Sequence, residues 1–165
     1  KQPSIIALTT ESPISLLKFS EDLTDEVKSN IIGSLLACGF DPIGKFKQKD
    51  YFITLSYSNS DKPQPNDKEL AASWPQGASI HSGQAMVSLI GQVSRPAWLD
   101  QVEEILSNNA INSALIFKQE NIGQVSLIVC ESQALLLARL LHKELIETAE
   151  HGGIFAESWQ SLNSQ

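Results

Sequence analysis

Two hydrophobic periods alternate along the chain. Residues 4–9, "SIIALT", and 13–19, "PISLLKF", read as two short strands parted by "TESP", with Pro13 suited to a strand start or an edge. The period then lengthens. In "SEDLTDEVKSNIIGSLLACGF", Val27, Ile31 and Leu35 form one stripe with Ile32 and Leu36 beside it, the spacing of an amphipathic helix laid on a sheet. Asp25 and Glu26 favour the positive helix end, and Gly39 supplies a C-terminal cap. "DPIGKFKQ" (41–48) and "DYFITLSYS" (50–58) predict a hairpin, with Phe52, Thr54, Ser56 and Ser58 alternating with Tyr51, Ile53, Leu55 and Tyr57. The polar, two-proline stretch 59–68 is a loop. A short helix through "DKELAASW" and a weak strand near "ASIHS" follow it.

The same succession then returns. "AMVSLIGQ" (85–92) predicts a strand and "RPAWLDQVEEILSNN" a helix, with Leu99, Val102, Ile105 and Leu106 inward and Asp100, Glu103 and Glu104 outward. Pro96 suits the first helical turn, where its missing N–H would be unpaired anyway. "INSALIFKQ" and "GQVSLIVC" form a second hairpin around "ENIG". "ESQALLLARLLHKELIETA" is the strongest helix and stops at Gly152 and Gly153; Ile154, Phe155 and Trp159 suggest that the tail docks.

Aligned by pattern, Ile14-Ser15-Leu16-Leu17 meets Val87-Ser88-Leu89-Ile90, Leu35-Leu36 meets Leu106 and its neighbours, Phe46 meets Phe117, and Ile53-Thr54-Leu55 meets Val125-Ser126-Leu127. The offsets stay at 71–73 residues. A constant offset across strand, helix and hairpin is the signature of a duplicated unit. Each unit reads β-α-β-β-α-β, the ferredoxin-like arrangement: an α+β fold with antiparallel sheets and helices on one face. The second unit lacks a strand after its long helix, and the first is preceded by a spare one. The expected units are therefore 13–82, and 3–9 plus 84–158.

A duplicated ferredoxin-like pair with a spare leading strand resembles the tandem ACT-domain regulatory region of aspartate kinases. "IIALTTESPISLLKF" and "MVSLIGQVSRPAWLDQVEEILSNNAINSALIFKQENIGQVSLIV" carry the likeness, which covers roughly residues 3–147. The resemblance implies a non-catalytic regulatory piece that binds a pathway amino acid, typically lysine or threonine. It further implies a shift of a kinase catalytic domain towards an inactive arrangement, and a homodimer. The family's loop after the first strand carries Pro-Gly before the helix, whereas "SEDLTDEV" and "QVSRPAWL" stand here. That departure keeps a second reading open: a structural dimerisation domain with degenerate effector sites. An enzyme on the same scaffold is a third, since fold alone does not fix function.

An α-amino acid presents a carboxylate and an ammonium. Ser94 and Arg95, at the helix that begins near Pro96, are candidates for the carboxylate, since Arg matches it as a planar fork. Glu21 and Asp22 are candidates for the ammonium; their plain role is a solvated, helix-capping turn. The resemblance adds the polar ends of the middle strands, Gln48 and Lys49 in the first unit and Lys118, Gln119 and Glu120 in the second, which otherwise are hairpin turns.

Composition narrows the choice of partners. The formal charge is −7, from 12 basic and 19 acidic side chains, and argues against nucleic acid and anionic membranes. No apolar run approaches the roughly 18–20 residues of a membrane span, and "KQPSIIALTT" lacks a signal-peptide core. The first residue is not Met, as in a processed chain or a fragment of a longer one. Cys38 and Cys130 each lie in an apolar segment and are expected to be buried free thiols, which fits the cytoplasm. His81, His142 and His151 are scattered, so no metal site, and no cofactor, is expected. Trp74, Trp98 and Trp159 are expected in packing roles.

Overall fold

The computed structural model describes residues 5–91, 96–111, 115–119 and 123–147. In chain order the elements are β1 (Ile5–Phe19), α1 (Asp25–Cys38), β2 (Phe40–Lys47), β3 (Tyr51–Tyr57), α2 (Asp67–Ala71), β4 (Ala78–Gly91), α3 (Pro96–Asn108), β5 (Leu115–Gln119), β6 (Gln124–Cys130) and α4 (Ala134–Leu141). A 3-10 turn, Glu131–Gln133, leads into α4, and a π-helical turn, His142–Glu147, continues it. Gly152, Gly153, His151 and the tail lie outside the described residues. Among the described residues, no helix is long and apolar enough to cross a membrane.

The chain divides into two compact units, Ser12–Ala85 and the stretch to Glu11 together with the residues from Met86 onward. Strands are hydrogen-bonded in the order β2-β3-β1-β4-β6-β5, and β1 and β4 each serve both units. The first unit therefore has the order β2-β3-β1-β4, and the second β1-β4-β6-β5. With β1 counted as the fourth strand of the second unit, each unit reads 2-3-1-4 or its reverse, the ferredoxin-like order that the duplicated pattern predicts. The pairs β1–β3, β2–β3 and β5–β6 are antiparallel.

Two expected breaks are absent. "SIIALT" and "PISLLKF" are one strand of 15 residues, and "ASIHS" and "AMVSLIG" are one of 14. Pro13 is tolerated inside β1 because pairing with β3 runs only over Ser15–Phe19, so no ladder bond to β3 is asked of it.

In the first unit the register sets the core. Ser15, Leu17 and Phe19 lie opposite Leu55, Ile53 and Tyr51, and residues directly opposite share a face. Ile31 and Leu35 of α1 close over that face with Phe40 and Ile80, and Trp74 packs at its margin. Leu36, expected beside the stripe, is exposed. Thr24 caps α1, its hydroxyl accepting from the Val27 N–H, and Gly39 ends the helix in the left-handed region at φ 106°. The opposite face carries Ile14, Leu16, Phe46, Phe52 and Thr54, all of them buried too.

In the second unit Val87, Leu89, Val102, Leu106, Val125, Leu127, Leu137 and Leu141 are buried, while Asp100, Glu103 and Glu104 of α3 are exposed, as the period predicts. The side chain of Trp98 lies outside the described residues. Pairing refines the repeat by one residue. Ser88 hydrogen-bonds Ser126 across the sheet at 2.9 Å, so it shares the face of Ser126 and corresponds to Leu16, which lies opposite Thr54, rather than to Ser15. A one-residue slip exchanges faces, so side-chain identity misled where the pairing does not. Phe117, likewise, lies opposite Ser126 and so stands where the first unit has Gly44 opposite Thr54, not where it has Phe46.

Both cysteines are exposed free thiols, contrary to the expectation of burial. Each is the last residue of its element, Cys38 of α1 and Cys130 of β6, and so sits past the covered part of an apolar stretch. Two hydrogen bonds with Ser132, the side-chain one first, hold the Cys130 thiol below its usual range.

Candidate functional site

The end of β1 in the first unit is where the sequence candidates converge. After Phe19 the chain leaves the sheet through Ser20, Glu21 and Asp22 before Thr24 starts α1. Ser20 is anchored on both sides: its N–H donates to Gly77 O at 2.7 Å, and its carbonyl accepts from the Leu23 N–H at 3.2 Å. The Asp22 N–H donates to Ser20 Oγ at 3.3 Å, tightening the turn. Gly77 has φ 99°, and a Cβ there would stand 3.0 Å from Ser20 Cβ. Close approach of the β4 entry to the β1 exit thus requires glycine.

Across from this turn lies the β2–β3 connection. Gln48, Lys49 and Asp50 form it, the Gln48 N–H donating to Asp50 O at 3.1 Å. Between the two turns opens a cleft of about 370 Å³, walled by Lys18, Glu21, Asp22, Lys49 and Asp50 and closed by Gly77–Ser79. Lys18 Nζ and Asp50 Oδ2 are 3.5 Å apart within it. Three carboxylates and two ammoniums line one cleft, an excess of one negative charge. Glu21, Asp22 and Lys49 are exposed, so their charges are available to a ligand at little desolvation cost.

Of the four first-unit candidates, Glu21, Asp22 and Lys49 meet in this cleft. Gln48 sits in the same turn but does not line it. The sequence reading missed Lys18, Ser20, Asp50 and the Gly77–Ser79 segment. Lys18 and Asp50 flank expected residues and were within reach of it. Gly77 was not, because only the ferredoxin-like topology returns β4 alongside β1.

The second unit offers less. Ser94, Arg95 and Glu120 lie outside the described residues. Lys118 and Gln119 are adjacent in β5, opposite Val125 and Gln124, so their side chains leave opposite faces and no single pocket takes both.

No family model matches this chain, and no curated protein matches it by sequence. Its fold, however, has many counterparts among solved structures. Aspartokinase III of Escherichia coli, in complex with lysine and aspartate, superposes with a TM-score of 0.60 at 19% identity over 88% of this chain. The aspartate kinase of Clostridium acetobutylicum gives 0.65 at 12% identity over 86%. The regulatory subunit of the Thermus thermophilus aspartate kinase, in its ligand-free form, gives 0.58 at 14% identity over 85%. The chain spans about a third (34%) of the length of the first two proteins and 97% of the third. The fold is thus that of the regulatory regions of aspartokinases.

Proposed function

We propose that this chain is the regulatory region of an aspartate kinase: a non-catalytic cytoplasmic module that binds a pathway amino acid, pairs with a second copy of itself and acts on a kinase catalytic domain. The observation that carries the reading is the cleft of Glu21, Asp22, Lys49, Lys18 and Asp50. A volume of about 370 Å³ suits a free amino acid, at the small end of ligand pockets. Its charges select among amino acids. Lysine brings two ammoniums and one carboxylate, the complement of three carboxylates and two ammoniums. Threonine, a neutral zwitterion, leaves the excess negative charge unanswered. Lysine is therefore the preferred effector, its carboxylate towards Lys18 and Lys49 and its ammoniums towards Glu21, Asp22 and Asp50. Two exposed, unpaired thiols fit a reducing compartment.

The control would act by linkage. A ligand that prefers one arrangement of the assembly shifts it by its differential affinity and by no more, typically about 1–3 kcal/mol. Thermal unfolding of the full chain with lysine and with threonine is the test. Lysine at 100 times its Kd adds about 2.7 kcal/mol of stability, and Asp22→Asn with Glu21→Gln removes the response. If no amino acid raises the melting temperature while the chain remains a tight dimer, the effector site is degenerate and the module is a dimerisation scaffold.

A further inference from the structure

A second cleft in the first unit has the opposite electrostatic character. It lies between α1 and the edge strand β2, holds about 310 Å³, and is ringed by Lys28, Lys45 and Lys47 around Tyr51. Lys45 and Lys47 alternate along β2 opposite Ile53 and Tyr51, so both ammonium stems leave the sheet on the face that α1 covers. Lys28 comes from α1 to meet them. Its Nζ stands 4.1 Å from the centre of the Tyr51 ring, and that of Lys47 stands 4.6 Å from the same centre. Ile32 and Phe19 supply an apolar wall. One carboxylate, Asp25, lies at the rim, 3.4 Å from Lys28 and wholly exposed. Lys45 and Lys47 have no ion-pair partner among the described residues.

Holding two ammoniums over one ring gains cation–π attraction from each and sets the cations against one another. In a chain whose formal charge is −7, such a concentration of positive charge is against the average. The duplicated frame does not demand it. In the second unit the positions of Lys28 and Tyr51 are held by Leu99 and Gly123, taking the helix ends and the β3 and β6 pairings as equivalents. Three cations, an aromatic floor and an apolar wall suit a small molecule with two or more negative charges beside a flat or apolar part.

We propose that this groove binds an organic phosphate, its phosphoryl oxygens between Lys28, Lys45 and Lys47 and its flat part against Tyr51. It is separate in charge and lining from the lysine cleft and stands whether or not lysine binds there. Calorimetric titration of the full chain with ADP, pyrophosphate and inorganic phosphate at fixed ionic strength tests it. ADP is expected to bind more tightly than pyrophosphate, and pyrophosphate more tightly than phosphate. Lys45→Gln with Lys47→Gln, both exposed, is expected to weaken ADP about tenfold or more while the melting temperature holds. Tyr51→Leu should weaken ADP more than pyrophosphate. The proposal is overturned if neither ADP nor pyrophosphate binds at millimolar concentration, or if the double lysine variant keeps the affinity of the parent chain.

Discussion

The first unit ends its long helix on Gly39, and the second ends the matching helix on Ala110. Both residues lie at positive φ, 106° and 52°. The same left-handed turn redirects the chain from helix to strand in both units, closed by Gly39 N–H to Leu36 O in one and by Ala110 N–H to Ser107 O in the other. One unit meets the requirement without strain; the other meets it with a Cβ in a region L-residues avoid. The buried pairs differ in the same manner. Where the first unit sets Leu16 against Thr54, the second sets Ser88 against Ser126, joined hydroxyl to hydroxyl. Backbone geometry is the shared inheritance of the repeat, and side chains fill it independently. The basic groove follows that rule in part: Lys28 and Tyr51 stand where the second unit has Leu99 and Gly123, while Lys45 is matched by Lys118.

The largest effect that tests the comparison lies in the cores. Leu17 and Leu89 occupy equivalent core positions and are both fully buried, so Leu17→Ala and Leu89→Ala each cost about 2–5 kcal/mol in urea unfolding followed by circular dichroism. A difference much greater than about 1 kcal/mol would mean that the units are not equivalently packed. Next come the helix ends. Gly39→Ala is expected to cost about 2 kcal/mol, because a Cβ there would meet Asn59 Cβ at 2.6 Å and the conformation itself is costly. Ala110→Gly should move the other way and stabilise by about 0.5–1 kcal/mol; a loss on both substitutions would refute the reading of strain at Ala110.

The buried polar pairs should separate the units more finely. Ser126→Ala removes the partner of Ser88, a buried hydroxyl, and costs about 1–3 kcal/mol. Thr54→Val disturbs only a long bond, Oγ1 to Gly44 O at 3.5 Å, and is expected to cost under about 1 kcal/mol. Replacing both Ser88 and Ser126 by Ala should cost less than the sum of the single changes, since no unpaired hydroxyl is left. The smallest effect concerns the thiols. Ser132 lowers the Cys130 thiol, so more of it is thiolate at a given pH. Iodoacetamide near neutral pH should modify the Cys38→Ser variant, through Cys130, severalfold faster than it modifies Cys130→Ser, and the gap should close once pH passes the ordinary thiol range.

Much of this was legible in the residues. The periods placed α1, α3 and both hairpins, and the offset survives as matching registers of Ile53-Thr54 against β2 and Val125-Ser126 against β5, until a bulge between Pro42 and Gly44 shifts the pairing of Leu55. Glu21, Asp22 and Lys49 were legible as polar turns at one sheet end, and they share a cleft. Their partners were not. Gly77 joins the cleft because β4 returns beside β1, and Lys28 joins the second groove because α1 lies over the edge of β2. The second groove did leave a trace, Lys45 and Lys47 two apart on a strand beside Tyr51, but two lysines on an edge strand also serve to discourage aggregation.

What the sequence determined by itself is the kind and order of elements, because the 3.6 and 2.0 periods of buried side chains are local properties of the backbone. It also determined the duplication, since an offset is a count along the chain. Tertiary structure alone decided that β1 and β4 run unbroken through both units, that Cys38 and Cys130 face solvent, and which charges share a cleft. Those outcomes depend on distances between residues far apart in sequence. Such distances are set by strand order and helix docking, and no local pattern carries them.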